Sequence, residues 1–234
     1  MSVLCLDCGN TRLKWGLREG GAWIAQGVLS LPQLTELSVT AERIVACNVA
    51  GGTGRRAIEA FADGVGMVVE WVRSQERQCD VTNGYERPQQ LGVDRWAALI
   101  GARAFHGGAA LVVMAGTATT IDVLDGDGIF RGGLIVPGLT MMREALAAGT
   151  ADLPDTPGEY RPLPRNTLDA IETGCLDATL GAIERMFARI GDDSRALCLL
   201  SGGAAPAIAP YLTVPMRPVE NLVLDGVARI AEGG

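Results

Sequence analysis

Two short stretches of this 234-residue sequence place acids where acids are either costly or useful. In "LDCGNTRLKWG" (6–16), Asp7 closes an apolar run and is followed at once by Gly, Asn and Thr. A carboxylate at the end of an apolar strand costs free energy unless it is hydrogen-bonded or serves an ion. Two roles fit: a turn cap bonded to nearby N–H groups, or a hard ligand holding Mg²⁺ against phosphates, directly or through water. In "LGVDRWAALIGA" (91–102), Asp94 stands at a helix start, where Asp ordinarily caps open N–H groups. Arg95 follows directly, so the pair could also take a proton from an attacking hydroxyl and bind an anionic group of the same substrate.

Phosphate could be held by two turns. "CGNT" (8–11) and "AGTATT" (115–120) are rich in Gly and small hydroxyl or amide side chains, which leave backbone N–H groups pointing outward to wrap an anion. Each alone reads as a hairpin turn; the pair at matching positions, with Asp7 and Asp122 nearby, favours phosphate. Lys14 on the following strand either points at those phosphates or runs to solvent. "SGGAA" (201–205) is a strand-end Gly pair where a flat base could lie against backbone. Other phosphate signatures are missing: the sequence has no G-x-x-x-x-G-K-[ST] and no strand leading into G-x-G-x-x-G. "GGTGRR" (51–56) reads as a helix-entry loop. His106 is the only histidine and no Gly-x-Ser-x-Gly occurs, which argues against a Ser–His–Asp hydrolase.

Composition narrows the class. A net charge of -7 without a basic patch argues against nucleic acid as a partner. No apolar run reaches the roughly 18–20 residues of a membrane span, and "MSVLCLDCGN" lacks the basic start and long apolar segment of a signal peptide. The expectation is a soluble cytoplasmic protein whose six cysteines are thiols. Cys5 and Cys8 form a C-x-x-C, but no second pair completes a four-ligand metal set, so buried inert thiols are the expected state.

These residues need elements to position them. Strands are predicted at 2–8, 11–18 and 22–29, then 43–49 and 67–72 with a helix near 53–63 between them. Residues 81–92 read as a polar, Pro-broken loop that leads into a helix. From residue 110 the opening pattern recurs: strand, Gly-plus-hydroxyl turn, strand, acidic-Gly turn, strand. A helix at 139–148, a long helix at about 167–190, a strand at 196–203 and a C-terminal helix from about Glu220 follow. With about 107 residues between Gly9 and Gly116, the repeat is a two-lobe duplication and no short-period solenoid. The predicted fold is α/β, with lobes at 1–108 and 109–234, mixed sheets and an interlobe active-site cleft.

Five stretches carry a resemblance in order: "DCGNTRLKWG" (7–16), "NGYERPQQLGVDRWAALIGA" (83–102), "GTATTID" (116–122), "GGLIVPGLTMMREAL" (132–146) and "NTLDAIETG" (166–174), with "SGGAA" after them. The chain resembles the type III pantothenate kinases of the acetate-kinase/Hsc70/actin superfamily, over essentially its whole length. That resemblance implies a duplicated ribonuclease-H-like (actin-like ATPase) fold. It also implies ATP-dependent phosphorylation of the primary hydroxyl of pantothenate to 4'-phosphopantothenate, the first step of coenzyme A biosynthesis. By the family pattern Asp94 is the general base, and Tyr85, Gly92, Val93, Arg95 and Thr167 line the pantothenate site, with Arg95 on the substrate carboxylate. Asp7, Cys8, Gly9, Asn10, Thr11, Arg12, Leu13, Lys14 and Thr117 hold the ATP phosphates, and Asp122 is a further acidic member. The family uses Mg²⁺, with Asp7 the candidate ligand, and a monovalent cation, K⁺ or NH₄⁺; it is generally homodimeric, with the long helix an interface candidate.

One position departs from the pattern. The turn before the second Gly-Thr carries an aspartate for the monovalent cation in many members, and here that position is Met114. Methionine sulfur is a poor ligand for a hard cation, so cation activation is expected to be weakened or served by backbone carbonyls and water. Two rivals remain in view: a kinase of the same superfamily with another small substrate, and a non-catalytic transcriptional accessory protein on the same fold.

Overall fold

The computed structural model describes residues 1–233, in two compact units. The first comprises Met1–Gly107, Gly126–Arg131 and Asn221–Gly234; the second comprises Gly108–Asp125 and Gly132–Glu220. The split thus falls beside the expected lobe boundary, but two later segments return to the first unit.

The first unit begins with an antiparallel meander, β1 (Ser2–Cys8), β2 (Leu13–Glu19) and β3 (Ala22–Leu29). Gly20 and Gly21 turn β2 into β3 with φ of 57° and 82°, the left-handed pair that a two-residue hairpin demands. β4 (Arg43–Asn48) then lies parallel to β1, and β5 (Val69–Trp71) parallel to β4, giving the order β3-β2-β1-β4-β5. Helix α1 (Gly51–Gly64) makes the β4–β5 crossover. "GGTGRR", expected as an entry loop, forms this helix's own first turns: its glycines meet no strand pairing and the chain coils directly. The segment expected as a loop carries β7 (Val81–Asn83), paired with β6 (Arg77–Gln78), and a 3-10 turn at Pro88–Gln90 before α2 (Val93–Phe105).

Alternation along β1 and β4 sorts the side chains onto two faces. Leu4, Leu6 and Cys8, with Ile44 and Ala46, pack with Ile58 and Phe61 of α1. Cys5, Asp7, Val45 and Cys47 therefore point to the opposite face, where α2 packs on β4.

In the second unit β8 (Ala110–Ala115), β9 (Ala118–Leu124) and β10 (Ile129–Pro137) repeat the meander. Residues 129–130 at the start of β10 belong to the first unit, where they pair with β7. α3 (Leu139–Gly149) and the 21-residue α4 (Thr167–Phe187) follow, then β11 (Leu197–Ser201), a single turn α5 (Ala205–Ile208) and β12 (Met216–Pro218). β11 is parallel to β8 and β12 parallel to β11. The order β10-β9-β8-β11-β12 thus repeats β3-β2-β1-β4-β5 strand for strand, which establishes the duplication. Its core sets Leu111, Val113, Ile121 and Val123 against Ile171, Leu176, Leu180 and Ile183 of α4.

The last helix, α6 (Leu222–Ala231), expected in the second lobe, packs on α2 and β1 of the first unit. The two helices approach through Gly101, beside the Leu222 carbonyl, and Gly226, beside the Ala97 carbonyl; a Cβ at either glycine would collide with backbone. Trp23 of β3 fixes the helix further by donating its indole N–H to Asp225 Oδ1 at 3.0 Å.

Candidate active site

Antiparallel pairing sets Asp7 directly opposite Lys14, and parallel pairing sets it beside Cys47. Because Asp7 faces α2, the carboxylate of Asp94 near that helix's N-terminus is felt there. Asp7 is pushed up to about 6, first by burial and then by Asp94, with Lys14 pulling the other way. Of the two roles open to Asp7, a satisfied turn cap is not what the structure shows. The turn beyond it is closed instead by backbone, Gly9 N–H donating to Arg12 C=O at 3.1 Å. Asn10, Thr11 and Arg12 at that turn stand exposed.

Asp94 occupies the second position of α2, and its Oδ1 accepts from the Arg95 backbone N–H at 2.8 Å. Among the described residues no hydrogen bond reaches Oδ2, so one carboxylate oxygen is open to receive a proton. Gly92 makes room for it: a Cβ there would lie 2.7 Å from Asp94 Oδ1.

Arg95 is only 4% exposed. Its guanidinium lies 5.6 Å from the Tyr85 ring centroid and 5.7 Å from that of Phe130, and Nη1 donates to Tyr85 Oη at 2.9 Å. A guanidinium over two aromatic faces keeps its charge while losing water. The loop that brings Tyr85 is pinned at both ends. Asn83 Oδ1 accepts from Tyr85 N–H and Asn83 Nδ2 donates to Pro88 C=O, both at 3.1 Å, while Ser74 Oγ donates to Leu91 C=O at 2.8 Å. Asp7, Lys14, Tyr85, Asp94 and Arg95 are thus brought together within one unit. Phe130, Asn83 and Ser74 belong with them and were not foreseen. The Asn-Gly at 83–84 was a local signal for a structured turn, whereas Phe130 is remote in sequence and had none.

In the second unit the turn at 116–118 mirrors the first, with Gly116 N–H donating to Ala118 C=O at 3.1 Å. The N-terminus of α3 abuts it: Gly138 N–H donates to Thr117 C=O at 3.0 Å, and a Cβ at Gly138 would lie 2.6 Å from that oxygen. "SGGAA" ends at the same place, Ala204 N–H donating to Ala115 C=O at 3.0 Å. Three donor-rich segments therefore gather at one end of this sheet. Asp122 is fully buried in β9 opposite Val112. Met114 lies opposite Thr120, as Asp7 lies opposite Lys14, so the second copy replaces a charged pair by a thioether and a hydroxyl. The hydroxyls of Thr119 and Thr120 are buried without a hydrogen-bond partner among the described residues. Thr167 is the exposed first residue of α4, behind Asn166, whose Oδ1 caps Asp169 N–H at 2.9 Å.

All six cysteines are buried thiols, and burial pushes Cys5 up to about 12. Among the described residues no group of three or more His, Cys, Asp or Glu side chains could hold a metal by itself.

The sequence profile described as type III pantothenate kinase matches residues 3–189. The chain belongs to the type III pantothenate kinase family. Named type III pantothenate kinases of Aromatoleum aromaticum and Dechloromonas aromatica are 51% and 50% identical to it, each over 98% of this chain and 97% and 98% of their own. Among solved structures, a conserved Baf family protein from Campylobacter jejuni aligns over 98% of this chain and 97% of its own with a TM-score of 0.66 at 20% identity. The ethanolamine utilization protein EutJ from Carboxydothermus hydrogenoformans aligns over 100% and 90% with a TM-score of 0.53 at 16% identity. At such identities these likenesses speak for the fold, which is the duplicated actin-like one.

Proposed function

We propose that the chain transfers the γ-phosphoryl group of ATP to the primary hydroxyl of pantothenate, forming 4'-phosphopantothenate. The observation that carries this reading is the open Oδ2 of Asp94 beside a buried, aromatic-held Arg95, in a member of this kinase family. Asp94 accepts the hydroxyl proton as the oxygen attacks phosphorus; Arg95 binds the substrate carboxylate and so sets the hydroxyl's position relative to Asp94. Phosphoryl transfer depends mainly on such positioning and on charge neutralisation. Tyr85, Gly92, Val93 and Thr167 complete the pantothenate site. Residues 7–14 and Thr117 hold the phosphates through turn N–H groups, hydroxyls and Lys14, and Asp122 adds a further acid to the site.

Mg²⁺ fits the donor set: it takes one or two carboxylates with waters and phosphates, and Asp7 is a half-buried carboxylate, pushed up to about 6, whose charge favours a nearby cation. When bound it neutralises phosphate charge. K⁺ or NH₄⁺ fits less well at Met114, where only the Thr120 hydroxyl stands opposite, so the cation response is weakened. A homodimer is supported by the exposed stripe of Ala170, Gly174, Ala178 and Gly181 on α4, where an added Cβ at either glycine meets open space. No described helix is long and apolar enough to cross a membrane.

The test is ADP formation with pantothenate, a sugar and a sugar acid in parallel. Turnover restricted to pantothenate supports the assignment; turnover with a sugar and none with pantothenate overturns it.

A further inference from the structure

A cavity of about 320 Å³ in the first unit has no part in the chemistry above. Arg77, Cys79, Asp80, Thr82, Arg103, Ala104, Asp127 and Arg229 line it, from the β6–β7 hairpin, the end of α2, the 126–131 segment and α6. Arg103 lies nine residues beyond Asp94 on α2, about 14 Å along the helix axis.

Three arginines from three elements line it, in a chain of net charge -7. Arg103 spends Nη1 on the Gly107 and Gly126 carbonyls at 3.3 and 3.0 Å, which fixes the side chain. Among the described residues neither Arg77 nor Arg229 makes a side-chain hydrogen bond or ion pair. Three arginines against two carboxylates leave the cavity positive. The β6–β7 hairpin that lines it turns at Cys79 and Asp80 with φ of 51° and 61°, the left-handed pair of a two-residue hairpin.

We propose that this cavity is a second anion site, taking a phosphate group on Arg77, Arg103 and Arg229. A phosphate dianion presents oxygens in several directions, which suits guanidiniums arriving from three elements; Thr82 adds a hydroxyl. The source of that phosphate is either the free ion or the end of a phosphorylated small molecule.

Isothermal titration with inorganic phosphate and, separately, with glycerol phosphate tests this, in a saturating non-hydrolysable ATP analogue that occupies the nucleotide's own phosphate site. The wild type is expected to bind at least one of the two, and the tighter arm names the source. Loss of one charge-assisted contact typically weakens binding about tenfold or more. Arg77→Ala and Arg229→Ala should each show that loss, and the double variant should lose binding. Arg77 is exposed, so Arg77→Ala stands alone as the test should the double variant fail to fold. Absence of binding by the wild type, or equal binding by wild type and Arg77→Ala, overturns the proposal.

Discussion

Asp7→Asn should make this protein more stable and less active at neutral pH, and the stability gain should vanish in acid. Asp7 is held at about 6 in the folded chain against an ordinary 3.8, because burial outweighs the help from Lys14 and Asp94 adds repulsion. A raised carboxylate means that the folded state binds its proton more tightly than the unfolded state. The contribution to stability is therefore full below pH 4 and is lost as pH rises through 6. The difference of about two pH units corresponds to about 3 kcal/mol, lost once both states are ionised. Asn keeps the shape without the charge. The assay is urea unfolding of both proteins at pH 3.5, 5, 6 and 7.5, read as a difference so that other titrating groups cancel. The difference should be near zero at pH 3.5 and favour Asp7→Asn by up to about 3 kcal/mol at pH 7.5. A difference that does not change with pH, or an Asn variant less stable at pH 7.5, would refute the reasoning. Such a cost at a working residue is the usual exchange of stability for function.

Arg95→Leu should raise KM for pantothenate about 10- to 100-fold, the worth of a charge-assisted contact of about 1.5–3 kcal/mol, while KM for the carboxylate-free alcohol analogue pantothenol changes little. Gly92→Ala should lower kcat by about tenfold or more with an unchanged melting temperature, since its Cβ would lie 2.7 Å from Asp94 Oδ1 and must displace it. Initial rates of the wild type should respond weakly to K⁺ and NH₄⁺, and Met114→Asp should strengthen that response; strong saturable activation of the wild type contradicts the role assigned to Met114.

The meander and its repetition were legible because each strand is long enough to alternate and each turn carries its own Gly chemistry. β3 begins and ends where the sequence placed it, at Ala22 and Leu29. The β6–β7 hairpin was not legible, since strands of two and three residues leave no period to read and its turn, Cys79-Asp80, lacks the glycine that usually marks one. The apolar face of α6 announced burial but could not say against which partner; that depends on Gly101 and Gly226 meeting across two distant segments. At the site, Asp7, Asp94 and Arg95 were readable as chemistry, and Tyr85 only through the family resemblance. The aromatic wall from Phe130 and the latch made by Asn83 and Ser74 act only through tertiary contacts.

The most direct measurement is pantothenate-dependent ADP release by Asp94→Asn beside the wild type, with both proteins shown to bind nucleotide and substrate equally. Loss of the base should reduce kcat by about 10²–10⁴-fold with little change in KM. An Asp94→Asn enzyme that turns over at the wild-type rate would contradict the account.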